Sequence, residues 1–235
     1  MALRVDDRAT GLREIDRFEN GVGWIAHPEE TMQRASHALE IDGEVWLVDP
    51  VDADGLDDLL AEFGEVAGVV VAFANHKRDA AAIAARHSVP VYLPDWFDGV
   101  AEELPDDTPI ARFGAELSDT GLEAHVVKNG RLWKEVALYD PDRGTLLIPE
   151  SVGANEYFLT GDERLGVHPA RRAFPPREAL EEFVSDSGPD FERILVGHGP
   201  GVQTDARAAL RDALEGSRSR MPRLYAEALW MFRPF

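Results

Sequence analysis

The chain of 235 residues contains no cysteine. Disulfides, thiolate metal ligands and a cysteine nucleophile are therefore excluded. Lysine is almost as scarce, at positions 77, 128 and 134 only, so 21 of the 24 basic residues are arginine. No apolar run reaches about 18 residues, which argues against a membrane span. The N-terminal stretch MALRVDDRATGLREIDRF lacks an apolar signal core, so a cytoplasmic protein is expected. No repeat or low-complexity segment is present. PESVG at 149–153 is no Gly-x-Ser-x-Gly nucleophile elbow, and GHGPG at 197–201 leads into no phosphate loop.

What the chain has in excess is acid. Asp and Glu number 44, giving a formal net charge of −20, and they are spread along the whole sequence. Such an acidic, lysine-poor composition resembles the proteins of salt-in halophiles, where high salt screens self-repulsion. It argues against non-specific binding to nucleic acid or an anionic membrane, leaving a small molecule, anionic if an arginine reads it, as the expected partner. A hydrophobic fraction of 44% supports a packed core. No linker-like stretch divides the chain, so one domain over 1–235 is expected, with a helical, aromatic tail at about 222–235.

The apolar patterning predicts strands at 24–30 and 35–50, the second broken by an Asp-Gly turn at 42–43. A helix follows over 54–64 with Gly64 as its stop, then a doubly buried strand at 66–73, a helix at 79–87 and a strand at 89–94. Segments 110–114, 122–127 and 134–140 read as short strands, and DPDRG at 140–144 turns the last into TLLIPE. Residues 151–176 read as a long structured loop. Helix 176–184, strand 191–199 and helix 204–216 follow, the last capped by Thr204 and stopped by Gly216. LYAEALWMF (224–232) is a separate apolar helix candidate. Hairpins followed by βα units, twice over, suggest two sheets flanked by helices.

Four apolar strands end in a polar residue: WLVDP at Asp49, VVVAFANH at His76, TLLIPE at Glu150 and RILVGH at His198. Rigid scaffolds present reactive side chains at strand ends. Each has a bland reading as well: Asp49 as a turn former, His76 and Asp79 as helix caps, Glu150 as an ion-pair partner, His198 as a turn histidine. His168 in GVHPARR either drapes over the same pocket or is a turn residue. His27, His37, His87 and His125 carry no pattern and read as structural.

The order of these motifs resembles the metallo-β-lactamase superfamily, over about Gly21 to Gly216. WLVDP is similar to its Asp-Pro strand end, residues 69–94 to its strand, His-x-His-x-Asp-His loop and helix, KEVALYDPDRGTLLIPES to its late hairpin, and RILVGHGPGV to its Gly-His-Gly strand end. The resemblance implies an αββα sandwich (α/β, of the α+β kind) and a metal-dependent hydrolase of an ester, thioester, lactone or phosphodiester. The metal pattern is eroded. Ala74 stands at the first histidine, His76 at the second, Arg78 at the aspartate, Asp79 at the last histidine, Arg131 at the third-histidine motif and Glu150 at the bridging aspartate.

Arginine cannot donate a lone pair, so Arg78 and Arg131 beside an ion would add repulsion to a lost ligand. The expectation is a metal-free, cofactor-free pocket in which these guanidinium groups neutralise Glu150 and Asp79. The alternative retains one divalent ion (zinc, manganese or iron) on His76, Asp79, Glu150 and His198. Two further readings stand beside the hydrolase: a non-catalytic binder of a small anionic metabolite through Arg78 and Arg131, and an assembly role, such as a homodimer, through the tail.

Overall fold

The structure, a computed structural model, describes residues 2–231. The chain opens with β1 (Arg13–Phe18), β2 (Gly21–Ile25), β3 (Ala35–Ile41) and β4 (Glu44–Val48), an antiparallel meander. The Asp-Gly turn joins β3 to β4 with both φ angles positive (Asp42 54°, Gly43 86°), which matches the twist of a two-residue hairpin. Crossover helix α1 (Leu56–Leu60) leads to β5 (Glu65–Val70), and α2 (Ala80–His87) to β6 (Val91–Pro94) and then β7 (Ile110–Phe113). The last four strands of this seven-stranded sheet pair in parallel, as strands joined by crossovers must.

The second half gives β8 (Glu123–Asn129), β9 (Lys134–Asp140) and β10 (Thr145–Ile148), a short ribbon β11 (Val152–Gly153) with β12 (Gly166–Val167), helix α3 (Arg177–Val184), β13 (Arg193–Val196) and helix α4 (Ala206–Met231). The four-stranded sheet has the order β13-β10-β9-β8. Leu39, Trp46, Val48 and Val70 of the first sheet meet Val136, Leu138, Leu147 and Leu195 of the second in a shared apolar layer. The outer face of the first sheet packs on α1 and α2 through Leu56, Leu60 and Ile83. That of the second packs on α3 and α4 through Leu180, Phe183, Leu210 and Leu214. The architecture is the αββα sandwich.

Three local expectations need correction. The strand expected at 24–30 stops at Ile25, because residues 26–34 turn back, with the Glu30 N–H on the His27 carbonyl. β1 was not foreseen. The helix expected to run from a Thr204 cap to Gly216 begins at Ala206 and passes through both Gly216 and Pro222. Tertiary contacts carry it past these breakers: Leu210, Leu214, Ser217 and Leu224 are buried on one face. The missing side chain at Gly216 leaves room for Arg220 to fold back onto Asp212 (Nη2–Oδ1 2.7 Å). The predicted tail is thus largely the end of α4, and residues 232–235 lie outside the described residues. Among the described residues no helix is long and apolar enough to cross a membrane.

Candidate functional site

Strand pairing explains why the distant residues meet. β10 and β13 are parallel with Ile148 opposite Val196, so Glu150 and His198, each two residues further on, emerge side by side. Gly197 permits this, since a Cβ there would run into the Pro149 carbonyl. On the other sheet, Val48 lies opposite Val70, and Asp49 leaves β4 with φ 48°, a left-handed conformation costly for a non-glycine residue. Its N–H bonds the Val70 carbonyl and its Oδ1 accepts the Ala72 N–H at 2.7 Å. That brings Oδ2 to His76.

Glu150 is the centre of the cluster. His198 Nε2 lies 2.8 Å and His76 Nε2 3.0 Å from its Oε2, and His168 Nε2 lies 3.3 Å from its Oε1. Each of the two closer imidazoles is held from behind. His76 Nδ1 is 2.8 Å from Asp49 Oδ2, and His198 Nδ1 is 2.9 Å from the Met32 carbonyl. A carbonyl and a carboxylate only accept, so both Nδ1 atoms carry hydrogen and both Nε2 atoms are left to face Glu150. Burial alone would push the Glu150 carboxyl up, but His198 and then His76 hold it well below the usual carboxylate range. His168 is pushed down to about 4 by burial, against the opposing pull of Glu150. Its Nδ1 accepts the Ala170 N–H at 3.2 Å, so in the neutral ring Nε2 carries the hydrogen, 3.3 Å from Glu150 Oε1.

Of the residues singled out from the sequence, Asp49, His76, Arg78, Glu150, His168 and His198 come together, whereas Asp79 and Arg131 do not. Asp79 Oδ2 accepts the Asp52 N–H at 2.8 Å and steadies the turn after Asp49. Arg131 is exposed in the β8–β9 turn. The expected pairing of Arg78 and Arg131 with Glu150 and Asp79 is corrected accordingly: three histidines surround Glu150. Arg78 spends its terminal donors on the carbonyls of Ala35, Asp49 (2.7 Å) and Gly197 (3.1 Å), with Nη2 also 3.4 Å from His76 Nε2. Its φ is 40°, and burial, with Asp49 opposing, lowers it to about 10. It is a clip across the two sheets, with three of its four terminal N–H groups on backbone carbonyls.

The aromatic roof was missed. Phe158 stacks on His198 at 5.4 Å, Phe73 meets His76 edge-on at 4.9 Å, and Trp133 meets His168 at 5.2 Å. Also missed was Glu135, wholly buried, which accepts the N–H of Glu150 (3.0 Å) and of Ser151 (2.7 Å), the Ser151 hydroxyl and the Trp133 indole N–H (2.7 Å). Burial pushes it up, against these donors. A charge inside the otherwise buried strand KEVALYD was the available signal. No pattern in the sequence marks the Met32 carbonyl.

The donor set suits a single divalent ion. Ligand atoms of His76, Glu150 and His198 lie within 4.8 Å of one another. Two imidazole nitrogens and a carboxylate oxygen, oriented from behind, are the ligand type and number of an open three-ligand site. The 2.8 and 3.0 Å separations are hydrogen-bond lengths. Ligands on one ion at about 2.0–2.2 Å stand roughly 3–3.5 Å apart, so loading requires a parting of a few tenths of an ångström. A second divalent ion beside His76 would meet the Arg78 cation, whose Nη2 lies 3.4 Å from His76 Nε2.

A scan against protein-family models matches nothing, and a search of the curated proteins finds no match. Solved structures match over nearly the whole chain. The DIM-1 metallo-β-lactamase exposed to ceftazidime is 14% identical with a TM-score of 0.61, covering 91% of this chain and 99% of its own. A metallo-β-lactamase from Pontibacter korlensis is 15% identical with a TM-score of 0.61, covering 87% and 99%. A fragment of a diflavin flavoprotein from Nostoc is 16% identical with a TM-score of 0.60, covering 91% and 99%. At such identities the likeness defines the fold, which is that of the metallo-β-lactamases.

Proposed function

We propose that this chain is a hydrolase-like protein of metallo-β-lactamase fold whose metal centre is reduced to one divalent ion, zinc, manganese or iron. The observation that supports this is the convergence of His76 Nε2, Glu150 Oε2 and His198 Nε2 with both Nδ1 atoms tied off. When bound, the ion supplies Lewis-acid polarisation and an activated water. The chain's own groups do the remainder. Asp49 and the Met32 carbonyl fix the two imidazoles, and Glu135 fixes the strand end that carries Glu150. His168 holds a proton on Nε2 at the exposed side of the carboxylate, and the Phe158, Trp133 and Phe73 rings exclude bulk water. The rival reading, an anion binder through Arg78 and Arg131, loses its first arginine to the backbone carbonyls it already serves.

Metal analysis of protein purified without chelator, followed by cobalt titration, tests the reading. One ion per chain is expected, lost in His198→Ala, together with metal-stimulated hydrolysis of a member of an ester, thioester, lactone and phosphodiester panel. No bound ion, or two, would overturn it.

A further inference from the structure

Most cations of this acidic chain are spoken for: Arg17 by Glu14 and Glu62, Arg86 by Asp52 and Asp57, Arg220 by Asp212 and Glu163. Among the described residues, only Arg13, Lys128, Arg131 and Arg171 have side chains with neither a carboxylate in ion-pairing range nor a hydrogen-bond partner. Three of these four frame one place. Lys128 and Arg131 are exposed at the β8–β9 turn, which closes with the Gly130 N–H on the Trp133 carbonyl at 2.9 Å. The Arg171 guanidinium lies 5.0 Å above the Trp133 ring, and that ring packs on His168, which reaches Glu150. Among the described residues, the two most exposed large apolar side chains belong to these same two segments. Leu132, at the tip of the turn, is 88% exposed, and Phe174, whose N–H bonds the Arg171 carbonyl, is 78% exposed.

Unpaired cations are costly to gather unless an anion visits them, and at net charge −20 free acids to pair them were in ample supply. Large apolar side chains left in water beside them mark a binding surface. We infer that the β8–β9 turn and the Arg171–Phe174 segment form the recognition surface of the proposed centre, and that its substrate is a small anionic amphiphile. A phosphate or carboxylate group lies among Lys128, Arg131 and Arg171, and an alkyl or aromatic portion covers Leu132 and Phe174. The inference rests on the single-ion reading for what happens to the substrate, but the surface binds without the ion.

The test is calorimetric titration of the full chain with monomeric octyl phosphate, alongside the Lys128→Glu/Arg131→Glu variant, whose changes are on exposed positions. Octyl phosphate is expected to bind the native chain about tenfold or more tightly than the variant, and more weakly as salt rises. Octyltrimethylammonium is expected to bind neither. Equal affinity of the two chains would overturn the inference. So would inorganic phosphate binding as tightly as octyl phosphate, or binding to phosphatidylglycerol vesicles without binding to the monomer. Cobalt titration of the same two proteins separates the readings: cobalt bound by neither, with octyl phosphate still discriminating, leaves the surface standing and removes the ion.

Discussion

Glu150 and Glu163 are both buried carboxylates, and they are held in opposite ways. Glu163 faces Arg172 through two parallel contacts (Nη1–Oε1 2.9 Å, Nη2–Oε2 2.7 Å), with both side chains fully buried. Glu150 faces three imidazoles, two of which, His76 and His198, can turn an Nε2 lone pair to a metal ion. A guanidinium is a permanent cation that offers no lone pair, so the Glu163 pair can only be structural. The pair locks the roof in place. Arg172 Nη2 also bonds the Phe158 carbonyl, Glu163 Oε2 accepts the Thr160 N–H, and Ser217 of α4 bonds the Arg172 carbonyl at 2.7 Å. The fixed pair thus holds Phe158 against His198, and the exchangeable cluster lies beneath it.

Breaking the fixed pair gives the largest expected effect on stability. Arg172→Met keeps most of the volume but leaves Glu163 buried with only the more distant Arg220 Nη1, 3.5 Å from Oε1, as a cation, which costs about 3 kcal/mol. Urea denaturation should show that loss, and the double variant Arg172→Met/Glu163→Met should recover most of it. A single variant within about 1 kcal/mol of the native chain would show that the two carboxylates do not differ as argued.

The difference between the two glutamates was only half legible in the sequence. Asp49, His76, Glu150 and His198 could be found because each ends an apolar strand, and strand ends in the same order are brought to one edge of the sandwich. Arg78 and Arg131 could not be told apart. Both occupy eroded ligand positions, but whether a long side chain turns inward depends on which carbonyls wait for it, and those belong to Ala35, Asp49 and Gly197. Glu163 and Arg172 lay unnoticed within a segment read as a loop, because nothing local distinguishes a buried ion pair from a solvated one. Gly216 and Pro222 misled for a related reason: local propensity says stop, and the buried face of α4 overrules it.

The exchangeable side is sharpened by Asp49→Asn. An amide nitrogen facing His76 Nδ1 sets donor against donor, so the ring takes the other tautomer, with hydrogen on Nε2 toward Glu150. Loss of such a partner typically lowers metal affinity about 10–100-fold. Cobalt titration should show that loss, with nitrogen NMR of His76 reporting the tautomer. Unchanged affinity with the tautomer switched would mean that His76 is not a ligand.

Glu30 is the intermediate case, a buried carboxylate on a permanent cation that sits close to the centre. Its Oε1 accepts from Arg34 Nε at 2.8 Å and from the Arg34 N–H at 2.9 Å, and its Oε2 takes the Val5 N–H at 3.1 Å. Burial pushes this carboxyl up, but the bonds from Arg34 and Val5 outweigh it and leave it lowered from 4.5. The folded value lies below the unfolded one, so its contribution is fully present above about pH 4.5 and is lost as pH falls through the lowered folded value. What it holds is the N-terminal arm: Leu3 accepts the N–H of Met32, the residue whose carbonyl orients His198. Amide exchange at Val5 and Met32 should therefore accelerate on acidification below pH 4.5, while exchange at Phe158, held by the permanent pair, should not accelerate in step. Glu30→Gln should cost on the order of 1 kcal/mol at neutral pH and abolish the acid-dependent part. If the arm still loosens with acid in that variant, the titrating group is another, and the permanence of the cation is not what separates the clips of this fold from its exchangeable site.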